Sequence, residues 1–243
     1  MCKLKSAIIL KDNIFMPDYD SHSEMLAELG ITDDYINASK TFVRAELSPT
    51  GGDVFSDIDG WEFSVDQDIT PEWFDRTECT ERMREAVKEW AKKHIFIGQD
   101  GLKISHGENI FIKDCTNVSI HGDAIVKCIG GNSKVIRIRE NARVYDIYDN
   151  AIVIWIYDYA TVERICGNAT VNTIYNNARI HNIYGNATVN SLCGNATIMS
   201  SQDIRWNKAD SLNIAGNALF IDYYMNTIHH TGNWKLAEDK NSK

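Results

Sequence analysis

The sequence predicts a mainly β protein: a parallel β-solenoid with about 18 residues per coil, two nonapeptides each, preceded by a small α+β domain. Three observations predict it. From Asp114 onward small, β-branched and turn residues return every nine positions. The acidic excess of the chain ends at residue 95. The same first 95 residues hold a long amphipathic helix and strand patterns of a different texture. The boundaries read 1–95 for an acidic α+β domain, 96–203 for the solenoid and 204–243 for a closing cap.

In chain order, Ser6-Ala7-Ile8-Ile9-Leu10 reads as a strand and Asn13-Ile14-Phe15-Met16 as its partner. Ser21 and Glu24 have the spacing of a capping box ahead of Met25-Leu26-x-x-Leu29-Gly30, a short helix with a glycine stop. Thr41–Leu47 and Trp61–Val65 alternate as strands. Thr80 through Lys93 predicts a helix with Met83, Ala86, Val87 and Trp90 on one face.

The repeat then begins. With starts at 114, 123, 132 and onward to 195, position two is alanine in eight of ten repeats, Cys115 and Ser133 being the small exceptions. Position four is Val or Ile from Val126 to Ile198, and position seven is Ile from Ile120 onward until Leu192. A short fixed period of this kind marks a solenoid. Positions two and four point inward from one short strand and position seven from a second, because successive strand residues face opposite ways. Position nine (Gly, Asp or Asn) and position one (mostly Asn) supply the turn, since these residues tolerate positive φ and bond locally to backbone. Nine residues at ~3.3 Å each cannot circle walls roughly 10 Å apart, whereas eighteen can. After Asp203 the period breaks, resumes once in Asn217-Ala218-Leu219-Phe220-Ile221 and stops near Trp234. The segment around Ile95–Ile112, or the N-terminal domain, is expected to cover the opening end.

Charge restricts the functional classes. The net charge is −9 over 243 residues, and residues 1–95 alone hold 11 Lys/Arg against 20 Asp/Glu. Residues 53–78 concentrate Asp53, Asp57, Asp59, Glu62, Asp66 and Asp68 with three further acids against Arg76 alone. Duplex DNA is repelled by such a surface, so no direct DNA binding is expected. The early apolar run Ala7–Leu10 is too short for a signal-peptide core or a membrane span, and six cysteines without CxxC spacing read as reduced thiols. A cytoplasmic protein without a membrane role is the expectation.

Several groups carry chemistry-bearing residues. The acids Asp57, Asp59, Asp66 and Asp68 have oxygen ligands for a divalent cation but lack EF-hand spacing, so a solvated face is the reading, with imitation of nucleic-acid charge as another. Asp18, Asp20, His22 and Glu24 sit at a helix start, where capping accounts for the acids. His229-His230 has no complementary Cys/His spacing for zinc. Cys166 and Cys193 replace tyrosine at position eight and have no recognisable base. In an 18-residue coil Tyr148, Cys166 and Tyr184 form one outward row and Tyr157, Tyr175 and Cys193 another, with Trp155 nearby. These are stabilising ladders, or a flat surface for a protein, a second subunit or a sugar. Lys127, Lys134, Arg137, Arg139 and Arg143 make a basic group in the early coils, able to dock the acidic segment.

"GWEFSVDQDITPEWF", "ERMREAVKEWAKKHI" and the tandem "NATV" repeats together resemble a family of uncharacterised proteins carried by bacteria, prophages and other mobile elements. The resemblance implies a small N-terminal domain followed by a β-solenoid, and no catalytic residue or cofactor. The nine-residue period separates the chain from the six-residue repeat of hexapeptide acyltransferases. The expectation is a non-enzymatic module without metal, presenting rigid ladders and an acidic patch (Asp53, Asp57, Asp59, Glu62, Asp66, Asp68) to a protein partner. Given the setting of the family, that partner is a host or defence factor which the module inhibits. The alternatives are a self-assembling structural solenoid, a homodimer among its forms, and an enzyme or glycan binder with a site between the domains.

Overall fold

Residues 5–200, 212–223 and 226–231 are described by a computed structural model, in which the chain divides into two units, Met1–Ile95 and Phe96–Lys243. The elements of the first are β1 (Lys5–Leu10), β2 (Ile14–Phe15), α1 (His22–Glu28), α2 (Tyr35–Ala38), β3 (Phe42–Ser48), β4 (Glu62–Val65) and α3 (Arg76–His94). The strands form one antiparallel sheet in the order β2-β1-β3-β4. All of Lys5–Ile9 is buried because both faces of β1 are covered. Ile8 and Phe42 join Met25 and Leu26 of α1 in one apolar cluster, while α3 packs on β1 and β3 and buries Cys79, Met83, Val87 and Trp90.

Local signals explain the helix bounds. The Ser21 hydroxyl accepts from Glu24 N–H at 3.4 Å, and Gly30 takes φ +67° just past the end of α1. Helix α3 starts at Arg76 rather than Thr80. The carboxylate of Asp75 accepts from Glu78 N–H at 2.9 Å, a cap that adds a whole turn ahead of the first apolar position. Helix α2 and the 3₁₀ turns Thr50–Gly52 and Ile58–Gly60 are too short for apolar periodicity to announce them.

The second unit is a parallel β-solenoid of about six turns, with its strands alternating between a seven-stranded and a nine-stranded sheet. Lys134 pairs with Ile152, and Ile152 in turn with Thr170, each step being 18 residues. One coil is therefore two nonapeptides long, one in each sheet. Positions two, four and seven are buried throughout, from Ala124, Val126 and Ile129 to Ala196 and Ile198, and form a single core. Fully burying one Val or Ile is worth roughly 1.5–3 kcal/mol, so the stack is held by this column.

One detail differs from the expectation. Each nonapeptide makes one five-residue strand over positions three to seven, such as Ile152–Ile156, rather than two short ones. Positions four and seven both face inward although strict alternation over three steps forbids it. The alternation breaks at position five, which the cross-coil pairing skips: Val135 meets Val153, then Arg137 meets Trp155. Positions five and six consequently both face outward, which creates an extra exposed row.

The turns follow the expected chemistry. Position nine has positive φ in all nine repeats from Gly122 to Gly194, including Glu140, Asp149, Asp158 and Asn176. Where position nine is acidic, its carboxylate accepts a backbone N–H from the coil before: Gly122 N–H to Glu140 at 2.8 Å and Gly131 N–H to Asp149 at 2.9 Å. Position-one asparagines form an amide ladder, with Asn150, Asn168 and Asn186 each donating to the asparagine below.

The ends differ from the body. Strands Ile95–Ile97, Lys103–Ile104 and Ile110–Lys113 continue the two sheets, so the segment expected as a cover is itself early coil, with its register irregular at Ile110–Phe111. Beyond residue 200, Asn213–Ile214 and Leu219–Asp222 remain parallel to the stack, but Thr197 meets Leu219, 22 residues on. Four residues are thus added between 200 and 213, which is why the period breaks. Strand Thr227–His229 then folds back antiparallel on Leu219–Asp222. Trp234 lies outside the described residues, as does much of 204–243.

Candidate functional site

Outward rows on the seven-stranded sheet change character from coil to coil. The coil at 134–139 presents Lys134, Ile136, Arg137 and Arg139. The next presents Ile152, Ile154 and Trp155, followed by Tyr157 and Tyr159 in the turn leaving the strand. The two after that present Thr170, Asn172 and Thr173, then Thr188, Asn190 and Ser191. Ile152, Trp155 and Tyr159 are 38%, 44% and 66% exposed, although Thr, Ser and Asn fill the same rows in the two following coils. Tyr159 also interrupts the asparagine ladder on its edge, where Asn141 and Asn177 occupy the equivalent position. This is a belt one coil wide, apolar and aromatic, beside a basic coil.

The tyrosine rows stand where the 18-residue coil places them. Tyr157 and Tyr175 stack with centroids 4.8 Å apart and planes 8° from parallel. Cys193 continues that row, and Cys166 separates Tyr148 from Tyr184 in the other. Tyr148 lies across Gly130, where any Cβ would meet its ring at 2.5 Å. Burial raises Tyr175 and Tyr184 above the ordinary phenol range. It also raises Cys128 to about 11 and Cys166 above the usual thiol value. Those two thiols are poor nucleophiles at neutral pH.

The nine-stranded sheet carries charge instead. Lys127 and Arg143 lie 4.6 and 5.0 Å from the Tyr145 ring centroid. Arg143 donates to Glu163 at 2.5 Å, Glu163 faces His181 Nδ1 at 2.6 Å, and Arg164 makes a two-point contact with Asp146. The Arg164 contact raises its guanidinium further above its ordinary value. The five early cations therefore do not make one patch: Lys127 and Arg143 belong to this sheet, Lys134 and Arg137 to the other, and Arg139 pairs with Glu140 at 2.8 Å.

The six acids of the N-terminal segment are all exposed, and β4 separates them. Asp53, Asp57 and Asp59 occupy the turns before it, Glu62 opens it, and Asp66 and Asp68 follow it. Several are engaged locally. Asp53 accepts from Phe55 N–H, Asp57 from Asp59 N–H, and Asp59 pairs with Lys88 at 2.8 Å. That hydrogen bond holds the Asp59 carboxyl below the usual range. Asp66 pairs with His22. Asp68 lines an open cleft of about 270 Å³ with Asp33, Asp34, Tyr35 and Arg44.

Of the helix-start cluster, two acids have partners beyond capping: Asp20 accepts from buried Lys5 at 2.9 Å, and Asp18 lies 3.5 Å from His94. A second open cleft, about 360 Å³, is lined by Ile14, Met16, Asp18, Trp90, Lys93 and His94 among others. Neither lining includes a serine or cysteine nucleophile beside a base. His229 stacks on Phe220 at 5.3 Å. Among the described residues no helix is long and apolar enough to cross a membrane. Compared with family models, curated proteins and solved structures, the chain finds no match.

Proposed function

We propose that the chain is a rigid, non-enzymatic protein-binding module whose docking face is the apolar belt 152–159 with the cationic coil 134–139 beside it. The observation that carries this reading is the exposure of Ile152, Trp155 and Tyr159 at rows that are Thr, Ser or Asn in the two coils that follow. Trp, Tyr and Arg are the residues that dominate protein interfaces when clustered. Apolar side chains kept in water against the pattern of the repeat cost solubility without adding to the core. The matching partner is a protein with apolar groups ringed by acids. The likeness to proteins of prophages and other mobile elements makes a host or defence factor the partner class, and inhibition the outcome of docking. The acids Asp53, Asp57, Asp59, Glu62, Asp66 and Asp68 are a second contact surface, weakened by their engagement with Lys88, His22 and local backbone.

The test uses affinity capture from host lysate with wild type and two variants. One carries Ile152→Thr, Ile154→Asn and Trp155→Thr, which borrows the next coil's side chains and so retains the fold. The other carries Asp57, Asp59, Asp66 and Asp68 changed to Asn. The identified partner is then titrated, and exchange protection is mapped over 152–159. Loss of roughly 30-fold in affinity (about 2 kcal/mol) with the belt variant, and little with the acid variant, supports the reading. Dependence on the acids alone moves the site to the N-terminal unit.

Self-assembly is the second reading, because a flat apolar belt also fits a second copy of itself. The antiparallel strand Thr227–His229 argues against simple end-to-end stacking of the nine-stranded sheet. Growth of mass with concentration, abolished by the belt variant, favours this reading over a foreign partner.

A further inference from the structure

On the face of the N-terminal sheet covered by α1, three ligand-type side chains from three segments converge. His22, the first residue of α1, is 7% exposed. Its Nε2 lies 3.2 Å from Ala45 O, which only accepts, so this nitrogen carries a proton. Nδ1 faces Asp66 Oδ2 at 3.2 Å. Glu46 on β3 is 8% exposed, and its carboxylate accepts from Ser64 Oγ at a long 3.5 Å. One ligand atom from each of His22, Glu46 and Asp66 lies within 4.8 Å of the other two. Ser6 sits directly across from Glu46 in the sheet, so both side chains share a face. Ser6 is fully buried, and its Oγ has no hydrogen-bond partner among the described residues.

We propose that His22, Glu46 and Asp66 bind one divalent transition-metal ion of the zinc or manganese type, with water completing the coordination. Three arguments carry it. Fixing one imidazole N–H on a backbone carbonyl leaves the other nitrogen's lone pair directed at the carboxylates, the outer-shell arrangement that metal-binding histidines use. A carboxylate buried as deeply as Glu46 needs a nearby cation, and Arg44, two residues away on β3, is turned to Asp33 at 3.1 Å. The orphan Ser6 hydroxyl gains a partner in a metal-bound water, where otherwise it is buried unpaired.

The size is suitable. Ligands about 2.1 Å from a metal are about 3.0–3.4 Å apart, so the group has to contract by roughly 1.5 Å. Asp66 is 62% exposed and follows the end of β4, so it is free to close that gap. One imidazole with two carboxylates favours zinc or manganese over magnesium or calcium, which rarely take nitrogen. The site ties α1, β3 and the segment after β4 together, and it stands independently of the docking belt.

The test is calorimetric titration of the full chain, free of any affinity tag and dialysed against chelator, with zinc, manganese and magnesium chlorides at pH 7.5. One equivalent of zinc or manganese is expected to bind, with affinity falling at least about tenfold in both Asp66→Asn and Glu46→Gln. Asp66→Asn changes an exposed side chain, and an unchanged far-UV spectrum verifies its fold. Anomalous scattering from a metal-soaked crystal should place the ion between residues 22, 46 and 66. No saturable binding at one equivalent, or binding that both variants leave intact, overturns the proposal.

Discussion

Gly167 and Gly98 allow the stacking of the coils to be weighed separately from backbone conformation. Both have positive φ, +66° and +64°. An alanine in the left-handed region costs about 1–2 kcal/mol at either site. They differ in surroundings: a Cβ on Gly98 meets nothing within 4 Å, whereas one on Gly167 meets Asp149 N at 2.9 Å and Asp149 O at 3.1 Å. The obstacle is backbone of the adjacent coil, held by Asn168 N–H donating to Asp149 O at 2.7 Å, so relief requires the coils to separate locally. Overpacking of that kind adds about 1–3 kcal/mol. Gly98→Ala should therefore cost about 1–2 kcal/mol and Gly167→Ala about 2–5 kcal/mol.

Position nine does accept a Cβ in Glu140, Asp158 and Asn176, and the reason sharpens the prediction. Their side chains offset the crowding with hydrogen bonds to the coil before, such as Glu140 N–H to Asp158 and Asn176 Nδ2 to Asp158 Oδ1 at 3.1 Å. Gly167→Asn should then recover part of what Gly167→Ala loses. Urea unfolding followed by far-UV circular dichroism gives the stabilities. Hydrogen exchange over peptides spanning 143–192 locates the loss, because a repeat array need not unfold in one step. Equal losses in the two alanine variants, or no recovery with asparagine, would refute the reasoning.

Tyr159→Asn should complete the ladder between Asn141 and Asn177, stabilising the solenoid by about 0.5–1 kcal/mol in the same urea assay while weakening partner capture. Glu163→Gln tests the network on the nine-stranded sheet: burial pushes the Glu163 carboxyl up, but hydrogen bonds from Arg143 and His181 outweigh it and the net shift is downward. A depressed carboxylate contributes stability that is present above its unfolded value of about 4.3 and lost as pH falls through the folded one. The variant should be the less stable protein at pH 7, and the gap should close below about pH 4.3. Cys128, raised to about 11 by burial, is about 0.1% thiolate at pH 8. Mass spectrometry should find it alkylated at least about 100-fold more slowly in the native chain than in guanidinium.

The inward columns made the solenoid legible, because a position that must be Ala, Val or Ile in every repeat has a single physical explanation. Two things were not legible. The kink at position five leaves no compositional mark, since Lys127, Tyr145, Glu163 and His181 at that position only have to face water. The partition of the five early cations between two walls depends on that kink and on the parity of the coil. In the N-terminal unit the capping box at Ser21 is legible, whereas Asp75-x-x-Glu78 stands apart from any apolar run because the apolar face of α3 starts later. The convergence of His22, Glu46 and Asp66 could not be read at all, since 24 and 20 residues separate them and they are joined by the pairing of β3 with β4 and the packing of α1 on the sheet.

A two-nonapeptide coil divides labour between positions, and this division locates function without any catalytic motif. Positions two, four and seven fix the core, and nine and one fix the turn, so substitutions there alter the scaffold. Positions three, five, six and eight are constrained only by their neighbours one coil away, where Thr188 donating to Thr170 and Asn190 to Asn172 show the neutral solution. Departures from that solution leave apolar area exposed, as at Ile152 and Trp155, and Tyr159 does the same at position one. The scaffold does not require Ile152 or Tyr159, since Thr170 and Thr188 serve the one row and Asn177 and Asn195 the other with hydrogen bonds. The belt is thus the part of the solenoid whose composition stacking does not require, and under the proposed function a partner surface would supply its burial.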